Sequence, residues 1–224
     1  MKNILVFIGL GLYALISVAQ VPAYFTGQVK YKFQLEGGMA ELAKAFIPQA
    51  ISFKFGEKNM AMITEGGMMS QMGNIIYNAE TNEAFALQTA EKTAWRMNSK
   101  SGAIKLPDPV VLKESEMVTI AGYPCNKYKI VTRDEKGNSS ISYVWATEKL
   151  NLSPTLQGTA TKQMQSFMIK GIKGLPLKMM NTEETLGTTI LTAIEIKPET
   201  VLPSEFLIPK GFVVKDFDPM SSKP

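Results

Sequence analysis

Residues Gln28–Leu35 alternate without a fault: Val29, Tyr31, Phe33 and Leu35 fall on one side, Gln28, Lys30, Lys32 and Gln34 on the other. Period two over this length specifies a strand with one face buried. Gly37-Gly38 breaks it, and Met39, Leu42, Ala43, Phe46 and Ile47 then recur at helical spacing until Pro48 stops the run. Alternation returns at Ile51, Phe53 and Phe55. The turn Gly56–Asn59 leads into a strand over Met60–Thr64. Asn74–Asn78 and Ala84–Gln88 make a hairpin around Ala79–Glu83, followed by a short strand at Thr93–Met97.

Lys100–Pro109 reads as a loop, with Gly102, Pro107 and Pro109 as breakers. Three strands follow, Glu116–Ala121, Cys125–Arg133 and Ser140–Thr147. They are joined by Gly122-Tyr123-Pro124 and by Asp134–Asn138, connections tight enough for a meander. Thr159–Ile172 carries Met164, Phe167, Met168 and Ile172 on one face of a second helix, closed by Gly174-Leu175-Pro176. A last hairpin, Leu177–Thr185 with Thr188–Lys197, turns at Gly187, and Pro203–Asp218 reads as a turn with a short closing strand. Strands follow one another with few helices between, which predicts a mainly β, α+β fold: one curled antiparallel sheet of roughly ten strands. A sheet of that size must curl, giving a half-barrel or open barrel with two short helices on its concave side.

The first residues carry the three parts of an export signal. Lys2 and Asn3 precede an apolar run from Ile4 to Ile16, and Ser17-Val18-Ala19 offers small residues before a cut at Gln20. At about 13 residues the run is short of the roughly 20 a bilayer span needs. The expected organisation is a signal peptide over residues 1–19 and a single domain over 20–224. No cysteine sits at the cut, so lipoprotein processing is not expected, and the mature chain is predicted to be periplasmic or secreted with no integral membrane span. Loss of Lys2 lowers the net charge from +4 to +3. The lysines are scattered singly, and a nucleic-acid partner is not expected.

Composition removes several chemistries. With no histidine and one cysteine among 224 residues, histidine-based triads, histidine metal sites, paired-cysteine redox motifs and intrachain disulfides are all excluded. No GxSxG, SxxK or phosphate-loop pattern occurs. The acidic pairs Asp134-Glu135, Glu183-Glu184 and Asp216/Asp218 lie in turns or strand ends, where solvated carboxylates are expected. No enzymatic activity, metal or cofactor is predicted. Cys125 reads first as a small buried hydrophobe and second as a reactive or bridging thiol. Fourteen methionines, five of them Met60, Met62, Met68, Met69 and Met72, admit three readings: core filling, an adaptable apolar cavity, or a thioether copper(I) site.

The segment Ile120–Ile130 (IAGYPCNKYKI) with Tyr143–Thr147 (YVWAT) resembles the signature of an uncharacterised family of exported bacterial proteins, a domain of unknown function. That family has a G-Y-x-C-x-K-Y strand and a tryptophan-containing strand after it. Gly174–Leu177 (GLPL) and Phe206–Phe212 (FLIPKGF) resemble its later motifs. The family in turn is similar to the Lol-type periplasmic lipoprotein carriers, LolA and LolB. This resemblance implies a curved antiparallel sheet around an apolar cavity and binding of acyl chains or another hydrophobic ligand.

Residues and resemblance together predict an exported, non-enzymatic binder of a lipid, acyl chain or lipoprotein. The expected lining is Phe33, Phe53, Phe55, Met60, Met62, Trp145, Phe167 and Met168. The alternative is an envelope structural or interaction module with a filled core and a protein partner.

Overall fold

The computed structural model describes residues 24–97, 108–133, 137–158, 169–183 and 187–216. The expected export signal, the loop over 100–107, the turn residues 134–136 and residues 159–168 of the second helix, Met164, Phe167 and Met168 among them, lie outside the described residues.

Twelve strands form one sheet: β1 (Gly27–Glu36), β2 (Ala50–Phe55), β3 (Asn59–Glu65), β4 (Asn74–Asn78), β5 (Glu83–Gln88), β6 (Thr93–Arg96), β7 (Val110–Ile120), β8 (Tyr123–Arg133), β9 (Ser139–Thr147), β10 (Leu175–Glu183), β11 (Gly187–Pro198) and β12 (Val213–Asp216). Their spatial order is β12-β6-β5-β4-β3-β2-β1-β11-β10-β9-β8-β7. The chain is therefore two meanders joined through β1 and β11, which pair along their whole lengths from Gly27↔Pro198 to Glu36↔Thr188. The sheet is open: its edges are β7 and β12. It is also rolled, since the end of β7 comes back against β11, four strands away. Among the described residues no helix is long and apolar enough to cross a membrane.

The period-two reading placed each strand within a few residues, with two differences. β7 begins at Val110, because Val110–Lys113 pair with β8 before an irregularity between Lys113 and Met117 disrupts the alternation. The closing strand β12 runs parallel to β6, Val213↔Thr93 to Asp216↔Arg96, so the antiparallel expectation fails at that edge.

The first helix is shorter than its periodicity suggested. α1 spans only Ala40–Ala43, although Phe46 and Ile47 both donate back to the Ala43 carbonyl before Pro48 ends the turn. α2 is Pro154–Gly158, ahead of the expected start, and buries Leu156. Ile169–Gly174 is not helical, because Gly171 and Gly174 both take positive φ, at 97° and 84°.

One large core collects Val29, Tyr31, Phe53, Phe55, Met60 and Tyr77 from one meander with Tyr128, Val144, Leu175, Leu177 and Met179 from the other. Leu150, Leu152 and Leu156 cap it. Tyr31 is fully buried, and its hydroxyl donates to the Pro176 carbonyl at 2.6 Å, a tie from β1 past β11 to β10. A second, smaller core lies on the reverse of β3–β6. There Ala61, Ile76, Leu87 and Ala94 are covered by Phe206 from the C-terminal segment, with Val201, Ile208 and Phe212 beside it. Lys54 pins that segment through Glu205 at 2.5 Å. The sequence signal for it is the unbroken apolar character of Ile75-Ile76-Tyr77 and Ala84–Leu87, which marks strands covered on both faces.

Candidate functional site

The core face of the sheet is assembled by register. Phe53 lies between Val29 and Met62, Ile51 opposite Tyr31, and Phe55 opposite Met60. Met60 and Met62 face Tyr77 and Ile75 on β4. Across the middle, Phe33 pairs with Leu191, Leu191 with Met179, Met179 with Val144 and Val144 with Tyr128. Alternation then puts Val29, Tyr31, Phe33 and Leu35 in one column of β1.

That column has a burial gradient. Val29 and Tyr31 are wholly enclosed, whereas Phe33 and Leu35 are half-buried; so are Ile51, Met62 and Leu191 beside them. Phe53 and Phe55, stacked with ring centroids 6.1 Å apart, and Met60 belong to the enclosed end. The apolar face thus runs from a filled core out into a partly open mouth. The mouth is at the end where β1 and β3 finish and β2 and β4 begin.

At the same end α1 and the 3₁₀ turn Met68–Met72 form a small flap. Met68 N–H donates to the Ala45 carbonyl at 3.0 Å and Met69 N–H to the Phe46 carbonyl at 3.1 Å. The flap leaves Met39, Phe46, Met68 and Met69 between 43% and 53% exposed. That is a concentration of large apolar surface which a fold of this size ordinarily hides.

Of the predicted lining, Phe33 and Met62 therefore stand at the mouth, while Phe53, Phe55 and Met60 pack behind it. Trp145 is elsewhere. It is buried on β9 between Lys127 and Lys178, whose Nζ atoms lie 5.4 and 4.7 Å from the ring centroid, and its Nε1–H donates to Glu116 at 3.3 Å. Lys127 in turn contacts Glu114 and Glu116 at 3.1 and 2.8 Å. The lysine and the indole N–H hold the Glu116 carboxyl below the usual carboxylate range. Leu35, Ile51, Leu191 and the flap are mouth residues that the sequence reading did not single out. Their signal was present in part, since Leu35 and Ile51 belong to the alternating runs.

Met60 stands apart from Met68 and Met69. Met60 is enclosed between Phe55 and Tyr77 at the start of β3, while Met68 and Met69 are exposed beyond its far end. Cys125 is buried, its Sγ 3.4 Å from the Tyr123 carbonyl, and burial pushes its thiol up to about 11. At pH 8 the folded protein is expected to resist a disulfide-exchange reagent such as Ellman's, and to react stoichiometrically once unfolded in guanidinium. Fast labelling of the native protein would show the thiol to be accessible. A raised thiol favours the neutral folded form. The stability it contributes is full below the unfolded value of about 8.5 and is lost as pH rises towards 11.

The DUF4412 family, described as a domain of unknown function, matches residues 25–212. The chain belongs to this family. The segments whose resemblance suggested such a family fall on β7–β10, where they meet, and on the C-terminal cover, which packs apart from them on β3–β6. Gly174 packs so closely against Thr147 that an added Cβ would lie 1.9 Å from its carbonyl oxygen, and Cys125, Tyr128 and Trp145 join one core. Among solved structures, this DUF4412 chain is similar to a LolA superfamily protein from Nitrosomonas europaea. The likeness covers 84% of this chain and 91% of that one, at 9% sequence identity and a TM-score of 0.37. No curated protein matches the sequence.

Proposed function

We propose that this DUF4412 protein is an exported, non-catalytic carrier or binder that holds the apolar part of a lipid-like ligand at the mouth of its rolled sheet. The observation behind this reading is the gradient along β1: the row that is sealed at Val29 and Tyr31 continues as half-open Phe33 and Leu35, flanked by Ile51, Met62 and Leu191. An ordinary core closes over its last apolar row. Here the row opens beside a flap whose own apolar residues face outward. Each methylene shielded there would contribute roughly 0.8 kcal/mol, and methionine side chains suit ligands of variable shape. The leader-like residues 1–19 support export, and the absence of histidine supports a non-catalytic role.

The test is native mass spectrometry of the protein purified from its own host, before and after organic extraction. A bound species of lipid mass is expected, and it should be lost from a Phe33→Ser/Met62→Ser variant that remains folded by circular dichroism. A clean apo mass, reproduced after incubation with total lipid extract, would overturn the reading and favour an interaction module with a filled core. Phe53, Phe55 and Met60, all fully packed, already furnish part of such a core.

A further inference from the structure

The rolled end of the sheet carries an open cleft of mixed polar and apolar lining. Where the end of β7 returns towards β11, a cleft of about 420 Å³ is lined by the apolar Val118, Ile120, Trp145 and Ala193 and by the polar Glu116, Thr119, Lys178 and Thr192. That volume falls within the range of small-ligand sites. Two lysines border the Trp145 ring, and they differ. Lys127 is neutralised by Glu114 and Glu116. Lys178, half-buried, has no carboxylate within 4 Å among the described residues, and its ammonium group rests 4.7 Å from the indole centroid. Glu116 is bonded to Lys127 and to the indole N–H, so Lys178, held over the indole and within the field of Glu116, is the cation in the cleft's lining without a salt bridge among the described residues.

We propose that this cleft is a binding site for a small amphiphile bearing one anionic group, of the long-chain carboxylate class. Lys178 is the counter-ion, and the hydrocarbon lies along Val118, Ile120 and Ala193. The charge distribution selects this chemistry. A cationic head would be repelled by Lys178 while Glu116 is already shared by Lys127, and a neutral head would gain no ion pair. Lys178 and Thr192 alternate with Met179 and Leu191, so they present to the cleft from the other face of β10 and β11 than the one that leads to the mouth.

The chain carries its own reporter. It has two tryptophans, Trp95 and Trp145, so a Trp95→Phe variant of the full chain leaves fluorescence from the cleft alone. Titration with dibrominated stearate, which quenches on contact, is expected to extinguish Trp145 emission. The added substitution Lys178→Met keeps the apolar stem and should weaken the stearate response about tenfold, the value of a charge-assisted contact. The same substitution should leave the response to a dibrominated alcohol of equal length unchanged. Phe33→Ser in the same background should not alter quenching.

Absence of quenching, or equal weakening of acid and alcohol by Lys178→Met, would overturn the assignment. Loss of quenching with Phe33→Ser would place the bound chain at the mouth instead. Quenching by brominated phosphatidylglycerol vesicles but not by monomeric stearate would mean that a membrane surface is recognised, and would overturn the small-amphiphile site.

Discussion

Phe55→Ala is expected to destabilise the protein by about 3–5 kcal/mol, whereas Phe33→Ala, the same chemical change on the neighbouring strand, should cost less than half of that. Phe55 is completely buried, stacked on Phe53, edge-on to Phe25 at 6.0 Å and opposite Met60. Truncation leaves a cavity that β-strand backbones on both sides cannot collapse into. Phe33 is half-buried at the mouth, and solvent fills part of the space its ring vacates. Urea midpoints with unchanged slopes measure the difference. The two variants should reverse their order in ligand retention, with Phe33→Ala the more damaging. Equal destabilisation by both would mean that the face is one continuous core, and the mouth would have no independent existence.

Gly174→Ala should have the second large effect. Gly174 has φ of 84°, and a methyl group there would come within 1.9 Å of the Thr147 carbonyl oxygen and 2.9 Å of the Glu148 Cα. Both neighbours are backbone, so neither can rotate aside. β9 and β10 pair immediately next to this contact, Leu175↔Thr147. The substitution therefore combines a left-handed backbone penalty with a displaced strand end, and a loss of at least about 2 kcal/mol is expected. Gly122→Ala provides the control: its φ is 85°, yet nothing lies within 4 Å of the added carbon, so only the conformational cost of about 1 kcal/mol remains. Thermal unfolding of the two variants side by side separates steric overlap from backbone preference. Similar melting temperatures would show that the β9–β10 junction can yield.

The strand column Val29, Tyr31, Phe33, Leu35 was legible because alternation is a property of the strand's own geometry. The hairpins and tight turns were legible for the same reason. The first helix was not. Met39, Leu42, Phe46 and Ile47 have helical spacing, but Gly38 and Pro48 leave only nine residues between them, too few for a helix that must stand on its own propensity, and tertiary contacts kept a single turn. Trp145 was grouped with the ligand-lining residues on hydrophobicity. Its cross-strand neighbours turned out to be Lys127 and Lys178, a pairing that depends on the registers of three strands at once.

By itself, then, the order of residues determined the all-but-complete set of strands, their inward-facing sides, the exclusion of histidine chemistry and the membership of a family. These are local or compositional properties, and they hold whatever the rest of the chain does. Tertiary structure alone decided that β1 lies beside β11, where Gly27 meets Pro198, 171 residues further along the chain. It likewise decided that Phe55 is core while Phe33 is mouth, and that the end of β7 roofs a cleft over Trp145. Burial of a side chain is set by what covers it, and the covering groups here come from strands and segments remote in sequence, brought together by registers that no single strand encodes.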